Sequence, residues 1–480
     1  MFRTLPSLIS PPPLISNIKM SEKNQQKNKT RKSNVNGVSK KTQTLVKTED
    51  IEDAVSFFSK DETHKLRAVL LDWYDHNHRV LPWRTASNHS NLKEEEEEVE
   101  KRAYGVWVSE IMLQQTRVQT VIAYYNRWML KWPTIHHLAK ASLEEVNEIW
   151  AGLGYYRRAR FLLEGAKKIV AEGGVIPKTA SLLRKIPGIG DYTSGAIASI
   201  AFKEPVPVVD GNVIRVIARL RAVSENPKDS AIIKRFWEIA AQLVDPLRPG
   251  DFNQALMELG ATLCTPLNPS CSSCPASEFC HALSIAKRDS TAAVTDYPIK
   301  GVKIKQRSDF SAVCVVELLG DEKQSSSKFV LVKRPEEGLL AGLWEFPSVL
   351  VAGETTPLAR RKATDCFLKQ NLKIDIKKTC DIILREDVGE FVHIFSHIRL
   401  KLYVELLVLQ SKGKEDDLFK SEDDETITWK CVDSNALSSM GLTTSVRKVY
   451  NMVQKFKQKR LPSKNAPPPT KKRNRTTKKN

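Results

Sequence analysis

Between residues 62 and 284, apolar side chains recur at helical spacing. In WVSEIMLQQTRVQTVIAYYNRW (residues 107–128), Trp107, Ile111, Val118, Ile122 and Tyr125 fall at that period. The pattern predicts a mostly helical domain, interrupted by the acidic run Glu94 to Glu98 as an exposed loop. From residue 308 the period changes. FSAVCVVELL (310–319) and KFVLVKR (328–334) are β-branched runs of strand length, and VGEFVHIFSHIRLKLYVEL (388–406) reads as a hairpin. Residues 285–306 carry neither pattern and read as a linker. The two ends, 1–60 and 453–480, read as disordered basic tails. The predicted architecture is multidomain: an all-α domain over 61–284, then an α+β domain over 307–452.

Length agrees, since 480 residues can hold two or three domains with their own cores. No run of eighteen apolar residues appears, so no membrane-spanning helix is predicted. The net charge of +19 is carried by the ends. Residues 1–48 hold ten Lys/Arg and one acid; residues 454–480 hold eleven Lys/Arg and none. The middle is therefore close to neutral, and within it residues 101–284 keep a mild excess of 22 basic over 16 acidic groups. That segment is the expected place for contacts with a polyanion. The tail KKRNRTTKK (471–479) reads as a nuclear localisation signal. The acid-free start, MFRTLPSLISPPPLISNIK, has transit-peptide composition, although Pro11, Pro12 and Pro13 oppose an amphipathic helix. A nuclear monomer is expected, with a mitochondrial share if translation starts at Met1 and not at Met20.

Half of the eight cysteines sit in CTPLNPSCSSCPASEFC (264–280), spaced C-x6-C-x2-C-x5-C. A secreted disulfide framework is short and cysteine-rich throughout, unlike this chain. Zinc sites usually pair two short C-x2-C units across a longer loop. One compact loop with a single x2 spacing suits an iron–sulfur cluster on Cys264, Cys271, Cys274 and Cys280.

Two further stretches carry candidate chemistry. IPGIGDYTSGAIASIAF (186–202) reads as a tight turn at Pro187-Gly188-Ile189-Gly190 that opens a helix, whose free N–H groups can take a phosphate without reading sequence. In PVPVVDGNVIRVIARL (205–220), Asp210 precedes a helix starting near Val213. It reads as an N-cap whose accepted N–H groups should lower its pKa. Glu110 lies in a helix beginning near Gly105, with Val106, Trp107 and Leu113 on its side. An apolar setting would raise its pKa. Two carboxylates pushed in opposite directions suggest a proton donor and a cation stabiliser.

The hairpin, the VVDGN aspartate and the four-cysteine loop, in this order and spacing, resemble the endonuclease III superfamily of base-excision DNA glycosylases over roughly residues 65–284. The resemblance implies a [4Fe-4S] cluster on the four cysteines, structural in role. Bifunctional members carry a lysine two residues after the last hairpin glycine. Here that position is Tyr192, which cannot form a Schiff base, so a monofunctional enzyme is expected. LPWR (81–84) and VSEIMLQQTRV (108–118) narrow the resemblance to the MutY-type adenine glycosylases, which remove adenine mispaired with 8-oxoguanine. It implies that Glu110 protonates adenine and Asp210 stabilises the oxocarbenium ion, with Tyr192 and Asn212 in support. It further implies that Gln115 and Tyr155 wedge into the duplex, and that Arg84, Gly188 and Gly190 contact DNA.

The α+β segment resembles the Nudix-like C-terminal domain of the same family. There Phe395, Ser396 and His397 fall where 8-oxoguanine is read. PLARRKATDCFLKQ (357–370) has one acid, Asp365, where a Nudix hydrolase needs several for metal, so this domain is expected to bind and not to hydrolyse. The resemblance implies that the partner is duplex DNA holding adenine opposite 8-oxoguanine or guanine. Repair and replication-clamp proteins are further partners that no motif identifies. The linker has no cysteine for the zinc site that some relatives carry there. Competing readings are a same-fold glycosylase for another base, a non-catalytic iron–sulfur DNA-binding protein, and a nucleotide pyrophosphohydrolase.

Overall fold

Two apolar cores organise the helical part. The first gathers Trp107, Trp128, Trp150, Leu162 and Ile197 from helices Glu96–Leu113, Val118–Lys131, Leu143–Trp150, Arg157–Ala171 and Asp191–Phe202. The second gathers Leu66, Val216, Phe236 and Phe252 from helices Lys60–Asn77, Gly211–Leu220, Ser230–Leu243 and Pro249–Thr262. The computed structural model describes residues 58–84, 96–299, 301, 305–320, 327–412 and 427–460. All of these lie in one compact unit. The localisation and transit-peptide stretches lie outside the described residues.

The cores meet where Pro249–Thr262 crosses Asp191–Phe202. Gly250 permits this approach, because a Cβ there would stand 2.6 Å from the Ile200 Cα. Asn253 fastens the crossing with hydrogen bonds to Ser199 Oγ at 3.0 Å and to the Val206 carbonyl at 2.9 Å.

Four features differ from the sequence reading. The helical run over 107–128 is two helices, broken at residues 114–117, where Gln115 takes a φ of 54°. The break follows from a tertiary contact. Arg158 draws off the carbonyls of Ile111, Met112 and Gln114, which would otherwise continue the helix. Second, the Glu110 helix begins at Glu96, not near Gly105, so Glu96, Glu97 and Glu98 form its exposed first turn and not a loop. Acidic groups are favoured there by the helix dipole. Third, the predicted linker begins as structure: helix His281–Arg288 extends past 284, and Arg219 holds the Tyr297 carbonyl at 3.2 Å. Fourth, helix Thr444–Arg460 runs beyond 452, because Val453 is fully buried against the sheet.

The C-terminal part is a seven-stranded mixed sheet. Its strands are β1 (Arg307–Leu319), β2 (Lys328–Lys333), β3 (Trp344–Glu345), β4 (Ser348–Val351), β5 (Cys380–Ile394), β6 (Ile398–Ser411) and β7 (Trp429–Asp433). The order is β3-β2-β1-β6-β5, with β4 on β1 and β7 on β2. β1 runs parallel to β6 over thirteen pairs, and β5 and β6 form the predicted hairpin. Helix Pro357–Asn371 covers one face through Leu368, and Thr444–Arg460 covers the other through Val446, Val449 and Val453. The loop between β2 and β3 plants Leu343 in the first helical core, and its Glu336 pairs with Arg160 at 3.1 Å.

Candidate active site and nucleic-acid interface

Glu110 is 5 % exposed, between helix Glu96–Leu113 and the helix that the glycine turn opens. Burial is the main reason its carboxyl is pushed up to about 7. The Tyr192 hydroxyl donates a hydrogen bond to Glu110 Oε2 and opposes the rise; the nearby Asp210 charge adds to it. Near neutral pH a large share of Glu110 therefore carries its proton. Tyr192 also touches Met257 Sδ at 3.5 Å, which ties the Asp191–Phe202 helix to the second core.

Asp210 is the N-cap of Gly211–Leu220. Its Oδ1 accepts the Val213 N–H at 2.7 Å and its Oδ2 accepts the Asn212 amide at 2.8 Å. The cap is as predicted, but the pKa direction is not. Burial raises it, and these hydrogen bonds only partly offset the rise. Both carboxyls thus sit above their ordinary values and in each other's field. The Asn212 Oδ1 accepts from Arg215 Nη2 at 2.8 Å. Gly260 is the space that Asn212 needs, since a Cβ there would stand 2.7 Å from the Asn212 Cβ. Neither could be picked out beforehand: Arg215 is one of two arginines in NVIRVIARL, and MELGATL around Gly260 reads as ordinary helix.

The turn at residues 187–190 lies between helices Ala180–Leu183 and Asp191–Phe202. Gly190 is the N-cap and offers no side chain, so the first-turn N–H groups of this helix have no side-chain cap. Gly188 has a φ of 79°, and a Cβ there would lie 2.5 Å from the Phe161 Cβ. Gly188→Ala is expected to cost about 1–2 kcal/mol of stability. If the turn contacts DNA, as the resemblance implies, the change should also weaken binding to damaged and undamaged duplexes alike, because backbone N–H groups position DNA without reading it. Fluorescence anisotropy on both duplexes checks this.

Gln115 and Tyr155 are exposed, Tyr155 by 48 %, and both hold positive φ, 54° and 47°. One buried residue joins their turns. Arg158 donates to the carbonyls of Ile111 at 2.9 Å and Met112 at 3.0 Å on the Gln115 side, and to Gly154 at 3.1 Å on the Tyr155 side. The sequence offers three arginines in YYRRAR and no reason to choose this one.

Arg84 is placed differently. Its guanidinium is largely buried, donating to Glu258 Oε2 at 2.9 Å and to the Arg79 carbonyl at 3.1 Å. Its positive charge pulls the Glu110 carboxyl downward. Glu258 is fully buried and takes Arg79 as well, at 2.6 Å.

The four clustered cysteines line one pocket, walled by Val216, Leu259, Leu263 and Val294. Among the described residues, no three His, Cys, Asp or Glu groups converge to hold a single metal ion. Buried Arg219 spans the loop, donating to Cys264 Sγ at 3.2 Å and to the Thr265 carbonyl at 2.8 Å. Burial raises the Cys271 and Cys280 thiols and pushes Cys274 up to about 12. Soft sulfur donors on one apolar pocket, with a fixed cation beside them, fit a thiolate-bound group.

On the sheet, Phe395, Ser396 and His397 form the β5–β6 turn, with Ser396 and His397 exposed. In helix Pro357–Asn371, Arg361 and Thr364 bond the buried Glu405, at 3.2 and 3.0 Å, and Arg385 joins them at 2.9 Å. Glu405 is thus held by two arginines.

The structure therefore unites Glu110, Tyr192, Asp210 and Asn212 in one site, and joins Gln115 with Tyr155 through Arg158. Comparison with known proteins points the same way. Residues 108–242 match the HhH-GPD superfamily of base excision DNA repair proteins, and residues 322–452 match the NUDIX domain. The chain is 59% identical over 422 residues to an adenine DNA glycosylase of Arabidopsis thaliana, covering 83% of this chain and 65% of that relative. It is thus matched to just under two thirds of that relative's length. It is 42% identical over 429 residues to the adenine DNA glycosylase of Mus musculus, covering 82% of this chain and 78% of the relative. Against the Homo sapiens protein of the same name, identity is 45% over 388 residues, covering 73% and 68%. By these matches and by its fold, the chain belongs to the adenine DNA glycosylase family of helix-hairpin-helix base-excision proteins.

Proposed function

We propose that this protein excises adenine mispaired with 8-oxoguanine or guanine in duplex DNA, leaving an abasic site and an uncut strand. The observation that carries the reading is the buried pair itself: Glu110, a carboxyl at about 7, beside Asp210, fixed by two donors. Neutral adenine is a poor leaving group. Proton transfer from Glu110 to N7 lets it depart with the glycosidic electrons, and the sugar becomes an oxocarbenium ion. Ionised Asp210 stabilises that cation, and water then adds to C1′, its proton passing to the Glu110 carboxylate. Since the bond lies within the stack, the adenine must first leave it; Gln115 and Tyr155, on turns that Arg158 ties together, are the wedge. Tyr192 occupies the place of a lysine nucleophile and donates a hydrogen bond instead.

Phe395, Ser396 and His397 read the 8-oxoguanine strand. Cys264, Cys271, Cys274 and Cys280 hold a [4Fe-4S] cluster, which supplies a cross-link to the loop and no step of the excision. The basic segment at residues 471–479 directs the protein to the nucleus, and the acid-free residues 1–19 give it a mitochondrial share. Single-turnover excision of adenine placed opposite 8-oxoguanine, guanine, cytosine and thymine tests the specificity. The expected order is 8-oxoguanine first, then guanine, with slow turnover on the other two. Equal rates on all four would overturn it.

A further inference from the structure

The β5–β6 turn that carries Phe395, Ser396 and His397 is closed by one bond of its own, from the Phe395 N–H to the Ile398 carbonyl at 2.8 Å. From outside the hairpin, two consecutive residues reach all three of its carbonyls. The Gln306 side-chain amide donates to the Phe395 carbonyl at 3.1 Å and to the Ser396 carbonyl at 3.4 Å. The Arg307 N–H donates to the His397 carbonyl at 3.0 Å. Both donors stand where the chain leaves the linker and starts β1. The Phe395 ring is fixed as well: His393 meets it edge-on, with ring centroids 4.5 Å apart. Burial and the Lys448 charge favour the neutral imidazole there.

An exposed turn ordered only on binding would spend affinity on lost backbone freedom. A turn held beforehand escapes that loss. Gln306 suits the task because one NH2 group brings two hydrogens, whereas a carboxylate would bring none and would repel the carbonyls.

We propose that Gln306 is a positioning residue for base recognition: its amide sets the turn at residues 395–397 and so raises the preference for 8-oxoguanine over guanine. The inference rests on the reading of that turn given above. The test uses the full chain with Gln306→Met and Gln306→Glu. Affinity is measured for duplexes with an uncleavable 2′-fluorinated adenine nucleotide opposite 8-oxoguanine and opposite guanine. The ratio of the two affinities cancels general losses of folding. For the loss of two hydrogen bonds, that ratio should fall about tenfold in both variants. An unchanged ratio in Gln306→Met, whatever Gln306→Glu does, would overturn the proposal while leaving the wild-type preference standing. No preference in the wild type would take down the turn's assigned role and this inference together.

Discussion

Glu110→Gln should lose adenine excision by about 10³-fold, the scale of a missing general acid, and should gain stability at pH 8. The first effect follows because glutamine keeps the shape and the contact with Tyr192 but has no proton to give. The second follows from linkage. The folded carboxyl titrates at about 7, above the reference value of 4.5. A raised acid contributes stability that is fully present below the unfolded pKa and is lost as pH rises through the folded one. At pH 8 the wild type therefore holds a desolvated charge that the variant lacks. At 1.36 kcal/mol per pKa unit, the variant's advantage at pH 8 is at most about 3 kcal/mol. The advantage should shrink as pH falls towards 5. Single-turnover kinetics and thermal unfolding at both pH values check the two parts. A variant no more stable than wild type at pH 8 would mean that Glu110 is not held in the raised state. The wild-type single-turnover rate should likewise fall as pH rises past about 7.

Glu258→Ala should destabilise the helical part by about 3–5 kcal/mol, because it strands the largely buried Arg84 guanidinium. Burial alone would push the Glu258 carboxyl up. Hydrogen bonds from Arg79 and Arg84, with the Arg84 charge, outweigh it and hold the group at about 2. The sign is opposite to that of Glu110. This stability is present above the unfolded carboxylate pKa and is lost as pH falls through about 2. Without Glu258, Arg84 loses its partner at 2.9 Å, and its guanidinium is free to move relative to Glu110. Urea unfolding followed by tryptophan fluorescence measures the loss. A change under about 1 kcal/mol would show the charge cluster to be dispensable.

What the sequence disclosed was local. Asp210 is visible as an N-cap because a capping residue and its helix are neighbours in sequence, and the β5–β6 hairpin because strands alternate. The cysteine loop shows itself by spacing. What stayed hidden depends on contacts between distant segments. The break at residues 114–117 comes from Arg158, more than forty positions away. Asp210 counts its cap bonds in sequence, but its burial comes from two packed cores, and burial decides the direction of its pKa. Arg84 is expected at DNA from LPWR, and nothing in that stretch announces Glu258, its partner 174 positions away. Gln306 carries no motif at all; only the parallel pairing of β1 with β6 brings it beside the β5–β6 turn.

Release of adenine by proton donation, with the strand left intact, would mark this site as that of a monofunctional glycosylase. The direct measurement is to incubate the full-length protein with a duplex carrying adenine opposite 8-oxoguanine. Half of each sample is treated with hot alkali, beside Glu110→Gln. Strand breaks that appear only after alkali, with free adenine released in equal amount and both lost in the variant, are the predicted result. Breaks without alkali would reveal a lyase and contradict the assignment of Tyr192, and breaks that persist in Glu110→Gln would contradict the assignment of the proton donor.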